Sequence, residues 1–62
     1  TIGLHRARAE YFTLVGDFDQ AIQQLDYAKR RAGSNFPLAS QIDQRQREIM
    51  EQQRMVKDMM GR

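Results

Sequence analysis

Several residue types that carry common chemistry are missing or scarce in this 62-residue sequence. It contains no cysteine, which excludes disulfide bonds and thiolate metal ligands. The single histidine, His5, supplies too few imidazole groups for a common zinc site. No apolar run approaches the roughly 18 residues that a membrane-spanning helix needs. We therefore expect no cofactor in this chain and no insertion into a membrane.

Charge of one sign and catalytic motifs are also lacking. Ten Lys/Arg and eight Asp/Glu residues give a net charge of +2, which is too balanced to predict nucleic-acid binding. The basic run from Lys29 to Arg31 falls in the last turn of a predicted helix, where cations complement the helix dipole. No H-E-x-x-H, nucleophile-elbow, phosphate-loop or EF-hand motif occurs. The chain is predicted to be non-catalytic, with a small basic nucleic-acid binder as a weaker alternative.

Two amphipathic helices are predicted on either side of the step from Gly16 to Asp17. In the first, over about 2–15, apolar residues recur at intervals of three, four and seven, as one face of a helix requires. Ala9 and Phe12 widen this stripe. We expect all these residues to lie on one face of the helix. Its residues are Leu4, Ala7, Tyr11, Leu14 and Val15.

Local signals predict where these helices begin and end. Thr1 can cap the first helix through its hydroxyl, and Asp17 can cap the second through its carboxylate. Gly16 can adopt the left-handed conformation that closes the first helix. Gly33 is placed to end the second helix, which is predicted over about 18–32. Residues 1–33 are therefore predicted to form a helical hairpin.

Small residues are predicted where the two helices of the hairpin approach each other. Ala9, Ala21 and Ala28 leave room for axes roughly 8–10 Å apart, and larger side chains fill the space around them. Two isoleucines of the third helix complete the core. The predicted structural core is Ala9, Phe12, Gly16, Phe18, Ala21, Ile22, Leu25, Ala28, Ile42 and Ile49.

Residues 34–62 are predicted to form a loop and a long C-terminal capping helix from Leu38 to Met60. Phe36 is expected to close the gap between the second and third helices. The positions between the seam residues are polar, Gln46 included, so this helix should cover one neighbour and show its other sides to water. The predicted fold class is all-α, with three helices in a single small domain. The seam residues are Ile42, Ile49 and Val56.

The hairpin resembles the tetratricopeptide repeat, a helix–turn–helix unit of about 34 residues. Three positions depart from that repeat: His5 replaces a tryptophan, Arg8 a leucine, and Gly33 the closing proline. An unrelated three-helix bundle with the same periodicity is the alternative. The matching residues are Ala9, Phe12, Gly16, Asp17, Phe18, Ala21, Leu25 and Ala28.

The resemblance implies a peptide-binding groove lined by the first helix, with Gly3, Arg6, Glu10, Thr13 and Leu14 facing it. Glu10 would repel an anion, so a clamp for a C-terminal carboxylate is not expected. The other interpretation of Arg6 and Glu10 is an exposed pair at i,i+4, worth about 0.2–0.5 kcal/mol. One repeat cannot bury its own apolar face, so we expect this chain to be the last unit of a longer protein.

A longer stretch, from Leu4 to Ile49, resembles the C-terminal end of bacterial zinc metallopeptidases that carry tetratricopeptide repeats. Its marks are the opening LHRARAEYF and the loop-to-helix step NFPLASQI. The resemblance implies a periplasmic protein that acts in the quality control of outer-membrane proteins. It also implies that the zinc ligands and the catalytic glutamate lie upstream of this chain.

We expect the chain to be a protein–protein interaction module that contacts a protein or peptide and other repeats of its parent protein. The alternative is a homodimer through the isoleucine–valine seam and the methionine-rich end of the third helix. Methionine suits such adaptable contacts because its side chain is flexible and polarizable. The candidate partner-binding residues are Arg6, Glu10, Thr13, Leu14, Met55, Met59 and Met60.

Overall fold

A computed structural model describes residues 1–60 and shows three helices: α1 (Ile2–Leu14), α2 (Phe18–Ala32) and α3 (Phe36–Met60). The described part of the chain contains no strand, so the all-α prediction is confirmed. Short connections join successive helices, so that α2 runs antiparallel to both α1 and α3. The predicted division between 1–33 and 34–62 falls in the second connection, and one core includes residues from both sides of it.

The predicted caps of the first two helices are confirmed. The Leu4 backbone N–H donates to Thr1 Oγ1 over 3.1 Å, and the Gln20 backbone N–H donates to Asp17 Oδ1 over 3.4 Å. Gly16, between the two helices, has φ of 81°, a left-handed value that side chains disfavour. Gly16 is exposed in the turn, and its predicted place in the core is therefore wrong.

The third helix begins two residues earlier than predicted, at Phe36. Asn35 caps it, since the Leu38 backbone N–H donates to Asn35 Oδ1 over 3.3 Å. The prediction that Phe36 fills the gap between helices is wrong, because its side chain is 78% exposed. Because Phe36 is part of the helix, its side chain lies about 120° from that of Ile42 around the helix axis. It therefore points away from the buried seam.

Alanines occupy the contact between α1 and α2, as predicted. Ala9, Ala21 and Ala28 have no exposed surface, and Leu25 beside them is only 1% exposed. The remaining predicted core residues of the hairpin are half-buried around this contact: Phe12, Phe18 and Ile22. Mixed small and large side chains of this kind let helix axes approach closely.

The third helix packs along α2 through Ile42 and Ile49, both with no exposed surface. Between them lies Gln46, which is only 4% exposed and thereby contradicts the prediction that it faces water. Its side chain is satisfied because Nε2 donates to the Ile22 carbonyl over 3.1 Å and Oε1 accepts from Lys29 Nζ over 2.8 Å. A buried amide is tolerated when its hydrogen bonds are made.

Candidate interaction surface

The first helix has apolar residues on two nearly opposite faces. The face toward α2 carries Ala9 with the half-buried Ile2 and Phe12. The other face is exposed, and we call it the outer stripe; its residues are Leu4, Ala7, Tyr11, Leu14 and Val15. Four of its side chains are 47–86% exposed. The prediction of one apolar face is therefore wrong, because Ala9 and Tyr11 lie about 160° apart around the helix.

A helix that is apolar on opposite sides is suited to burial on both sides. Isolated apolar residues are ordinary at a protein surface, whereas contiguous ones mark contact sites. Here Leu4, Tyr11 and Leu14 follow one another along one helix face at helical spacing. The outer stripe is therefore a candidate contact surface, and only Leu14 of its five residues was among the predicted binding residues.

His5 completes the α2 side of the first helix. Its Nδ1 lies 2.8 Å from Gln24 Oε1, and because that oxygen is an acceptor the imidazole nitrogen donates. The ring is tilted against Tyr27 with 5.6 Å between ring centroids. The imidazole is half-buried and occupied by these contacts. It helps to hold α1 in the orientation that turns the outer stripe to solvent.

Glu10 bridges α1 to α3. Its two carboxylate oxygens accept from Arg45 Nε and Nη2, each over 2.8 Å. The hydrogen bond from Arg45 holds the pKa of the Glu10 carboxyl below its ordinary value. The predicted pair between Arg6 and Glu10 is not formed in the described part of the chain, because Glu10 turns to α3 instead. The pairing of Glu10 with Arg45 depends on how α1 and α3 are packed, so the local sequence gives no signal for it.

The residues predicted to face a groove lie within about 100° of one another around α1, but two of them are already hydrogen-bonded inside the chain. Glu10 is engaged by Arg45, and the Thr13 hydroxyl donates to the Ala9 carbonyl of its own helix over 2.8 Å. Arg6 is half-buried, whereas Leu14 is 86% exposed on the outer stripe. Leu14 alone of these four therefore presents a large free apolar surface.

The end of α3 extends past the hairpin. Gln53 Nε2 donates to Asp19 Oδ1 over 2.7 Å, close to the start of α2. From there to Met60 the helix continues for about 10 Å. We call the exposed residues of this extension the methionine tail; they are Met55 at 54% exposure and Met59 and Met60 at 79%. A shallow groove leads to Met55 along α3, but its lining comes from that single helix and encloses no cavity.

The described residues contain no group of three or more histidine, cysteine, aspartate or glutamate side chains that could hold a metal ion. Among the described helices, none has the length and hydropathy that crossing a membrane requires.

No protein-family model, curated protein or solved structure matches this chain. What the fold defines is a three-helix all-α unit with an uncovered apolar helix face.

Proposed function

We propose that this chain is a protein–protein interaction module that uses the outer stripe of α1 as its contact surface. The observation that carries the proposal is the second apolar face of α1, open to solvent through Leu4, Tyr11 and Leu14. Removal of such a face from water stabilises a contact by about 25 cal/mol per Å² of apolar surface. A polar third helix covers the other side of the hairpin, which leaves α1 as the open side.

We propose further that the module is the terminal tetratricopeptide-like unit of a larger protein. The buried alanines and the turn at Gly16 support a close helical hairpin, as that repeat requires. Sequencing of the upstream coding region tests this, because a second hairpin with the same alanine spacing should precede Thr1.

The proposed parent protein is a periplasmic zinc metallopeptidase that acts in outer-membrane protein quality control. Its support is the resemblance of the stretch from Leu4 to Ile49, in particular LHRARAEYF and NFPLASQI. The same upstream sequence tests this proposal separately. An H-E-x-x-H motif and a secretion signal should be present, and a parent protein with neither contradicts it.

Single cysteine reporters can test whether the outer stripe is covered in the cell, because the chain has no cysteine of its own. Tyr11→Cys and Leu14→Cys place a thiol on the stripe, and Gln44→Cys places one on exposed α3 as a control. In the purified chain all three thiols should react at similar rates. In the native full-length protein the two stripe positions should react at least tenfold more slowly than position 44. Equal rates at all three positions would exclude the stripe as a contact surface.

The homodimer alternative is restricted by the fold. Ile42 and Ile49 have no exposed surface because they pack inside the chain, so of the predicted dimer contacts only the half-buried Val56 and the methionine tail remain. Met59 and Met60 are the most exposed residues of that tail. Sedimentation equilibrium over a hundredfold concentration range tests the alternative. A monomer at every concentration contradicts it, and a dimer abolished by Met59→Glu supports it.

A further inference from the structure

We propose that the outer stripe binds an amphipathic α-helix of a partner protein that carries acidic residues beside its apolar face. This inference rests on the proposed function and adds the chemistry of the partner.

The shape of the stripe favours a helix as the bound element. From Leu4 to Val15 the stripe runs for about 16 Å along α1, or roughly three helical turns. Ala7 lies between the larger Leu4 and Tyr11, and this notch can receive a side chain of a second helix. A peptide that binds as an added β-strand would need free backbone hydrogen-bonding groups, which the interior of an α-helix does not offer.

Charge beside the stripe favours an acidic partner. Arg8 has no carboxylate within 4.0 Å among the described residues. The one acidic residue of α1, Glu10, is already bonded to Arg45. Arg8 is exposed and directly borders the stripe between Leu4 and Tyr11. A carboxylate placed opposite Arg8 would therefore find a cation that has no other partner in the described chain.

A second copy of the chain fits this surface poorly. Two stripes packed antiparallel about a two-fold axis would meet near Ala9 and Glu10, the midpoint of the stripe. The two Arg8 side chains would then lie on the same edge and close to the axis, where like charges repel. Glu10 cannot neutralise them because it is held by Arg45. In this antiparallel arrangement the charges therefore disfavour a second copy and favour a different, acidic helix.

Designed helical peptides can test this inference. The probe is an 18-residue peptide with leucine on one face and glutamate on both borders of that face; its matched controls carry lysine or glutamine at the border positions. Each peptide is titrated into the isotopically labelled chain, and backbone amide shifts of α1 give the dissociation constant. We expect the glutamate peptide to bind about fivefold more tightly than the lysine peptide, as exposed ion pairs allow. Arg8→Glu should reverse this order, and Lys57→Glu, the same charge change on α3, should leave it unaltered.

The outcomes separate the partner chemistry from the general function. If Leu4→Glu with Tyr11→Glu abolishes binding but all three peptides bind the native chain equally, the acidic partner is wrong and the interaction surface stands. If no peptide shifts the α1 amides, the inference is wrong, and the cysteine reporters still judge the proposed function. Concentration-dependent shifts of α1 without peptide would reveal a second copy and would also overturn the inference. Circular dichroism of each variant shows that the helices remain folded.

Discussion

Two alanines of α1, only two residues apart, carry opposite structural roles. Ala9 has no exposed surface and faces α2, whereas Ala7 is exposed on the outer stripe. At Ala9 any larger side chain must displace α2, because protein interiors are close-packed. At Ala7 the same side chain would extend into solvent. The identity of the residue does not reveal which role it has.

Leucine at these two positions should have different effects. Ala9→Leu should lower the free energy of unfolding by about 1–3 kcal/mol, the usual cost of overpacking. Ala7→Leu should change it by less than about 0.5 kcal/mol, as exposed substitutions do. Urea denaturation of both variants at neutral pH measures the difference. Equal destabilisation by the two substitutions would contradict the assignment of faces on α1.

The Gln46 side chain joins two helices from a buried position. It bonds to the Ile22 carbonyl and to Lys29, which also bonds to Asp43 Oδ1 over 3.0 Å. Gln46→Ala should lower the free energy of unfolding by about 1–3 kcal/mol, because it leaves a cavity and removes an acceptor from Lys29. Gln44→Ala, exposed one position before Arg45, is the matched control. Chemical denaturation measures both variants. If both are as stable as the native chain, the hydrogen bonds of Gln46 contribute nothing to the free energy of unfolding.

At the scale of the helices, short local signals set the ends. Thr1, Asp17 and Asn35 each accept a backbone N–H three residues ahead, and two glycines with positive φ end α1 and α2. Both kinds of signal act within a few residues. For that reason the spans of α1 and α2 were predictable to within a residue. The start of α3 was missed by two residues because Phe36 was assigned to the preceding loop.

Alanine at two glycine positions should shift stability in opposite directions. Gly16→Ala places a side chain at φ of 81° and should destabilise the chain by about 1 kcal/mol or more. Gly3 lies inside α1 with no atom within 4 Å of an added Cβ, so Gly3→Ala should stabilise the chain by about 0.5–1 kcal/mol. Thermal unfolding followed by circular dichroism measures both shifts. Two shifts of the same sign would contradict the proposed end of α1.

The packing of the helices was less predictable than their ends. Periodicity showed that α1 has apolar residues, but it could not show which of two apolar faces meets α2, since both have helical spacing. The answer is decided by the fit of Ala9 against Ala21 and Ala28, and this left Leu4 and Tyr11 outside. Arg45 and Glu10 are far apart in sequence, so their pairing had no local signal. The candidate site was therefore found mainly from the structure.

The whole molecule is a single layer with α2 at its centre. The chain extends over 42 × 18 × 12 Å, and α2 contacts both of its neighbours extensively. Contact between α1 and α3 is slight. Among the described residues, the ion pair between Glu10 and Arg45 connects these two helices. Asp43 plays a similar part on the other side, where it joins α3 to α2 through Lys29. Two ion-paired carboxylates therefore tie α3 to the hairpin, in addition to the hydrogen bond from Gln53 to Asp19.

These two carboxylates should make the stability of the chain sensitive to acid. Hydrogen bonds from Arg45 lower the pKa of Glu10, and hydrogen bonds from Lys29 and Arg47 lower that of Asp43. Because each pKa is lowered in the folded state, each carboxylate stabilises the fold fully at pH values above its ordinary pKa, which is 4.5 for Glu10 and 3.8 for Asp43. That contribution is lost as the pH falls through the folded-state pKa. The thermal midpoint should therefore fall as the pH is lowered from 6 toward 3.

The double variant Glu10→Gln, Asp43→Asn tests the origin of this acid sensitivity. It should be less stable than the native chain at pH 7, and its midpoint should fall less between pH 6 and pH 3, because the two titrating bridges are absent. Glu51→Gln is the control, since Glu51 pairs with Arg54 on the same exposed face of α3 and joins no two helices. If the thermal midpoint of the double variant falls with pH as it does in the native chain, the two bridges do not hold α3 to the hairpin. A flattened profile in the double variant alone would show that acid destabilises the chain where α3 meets the hairpin.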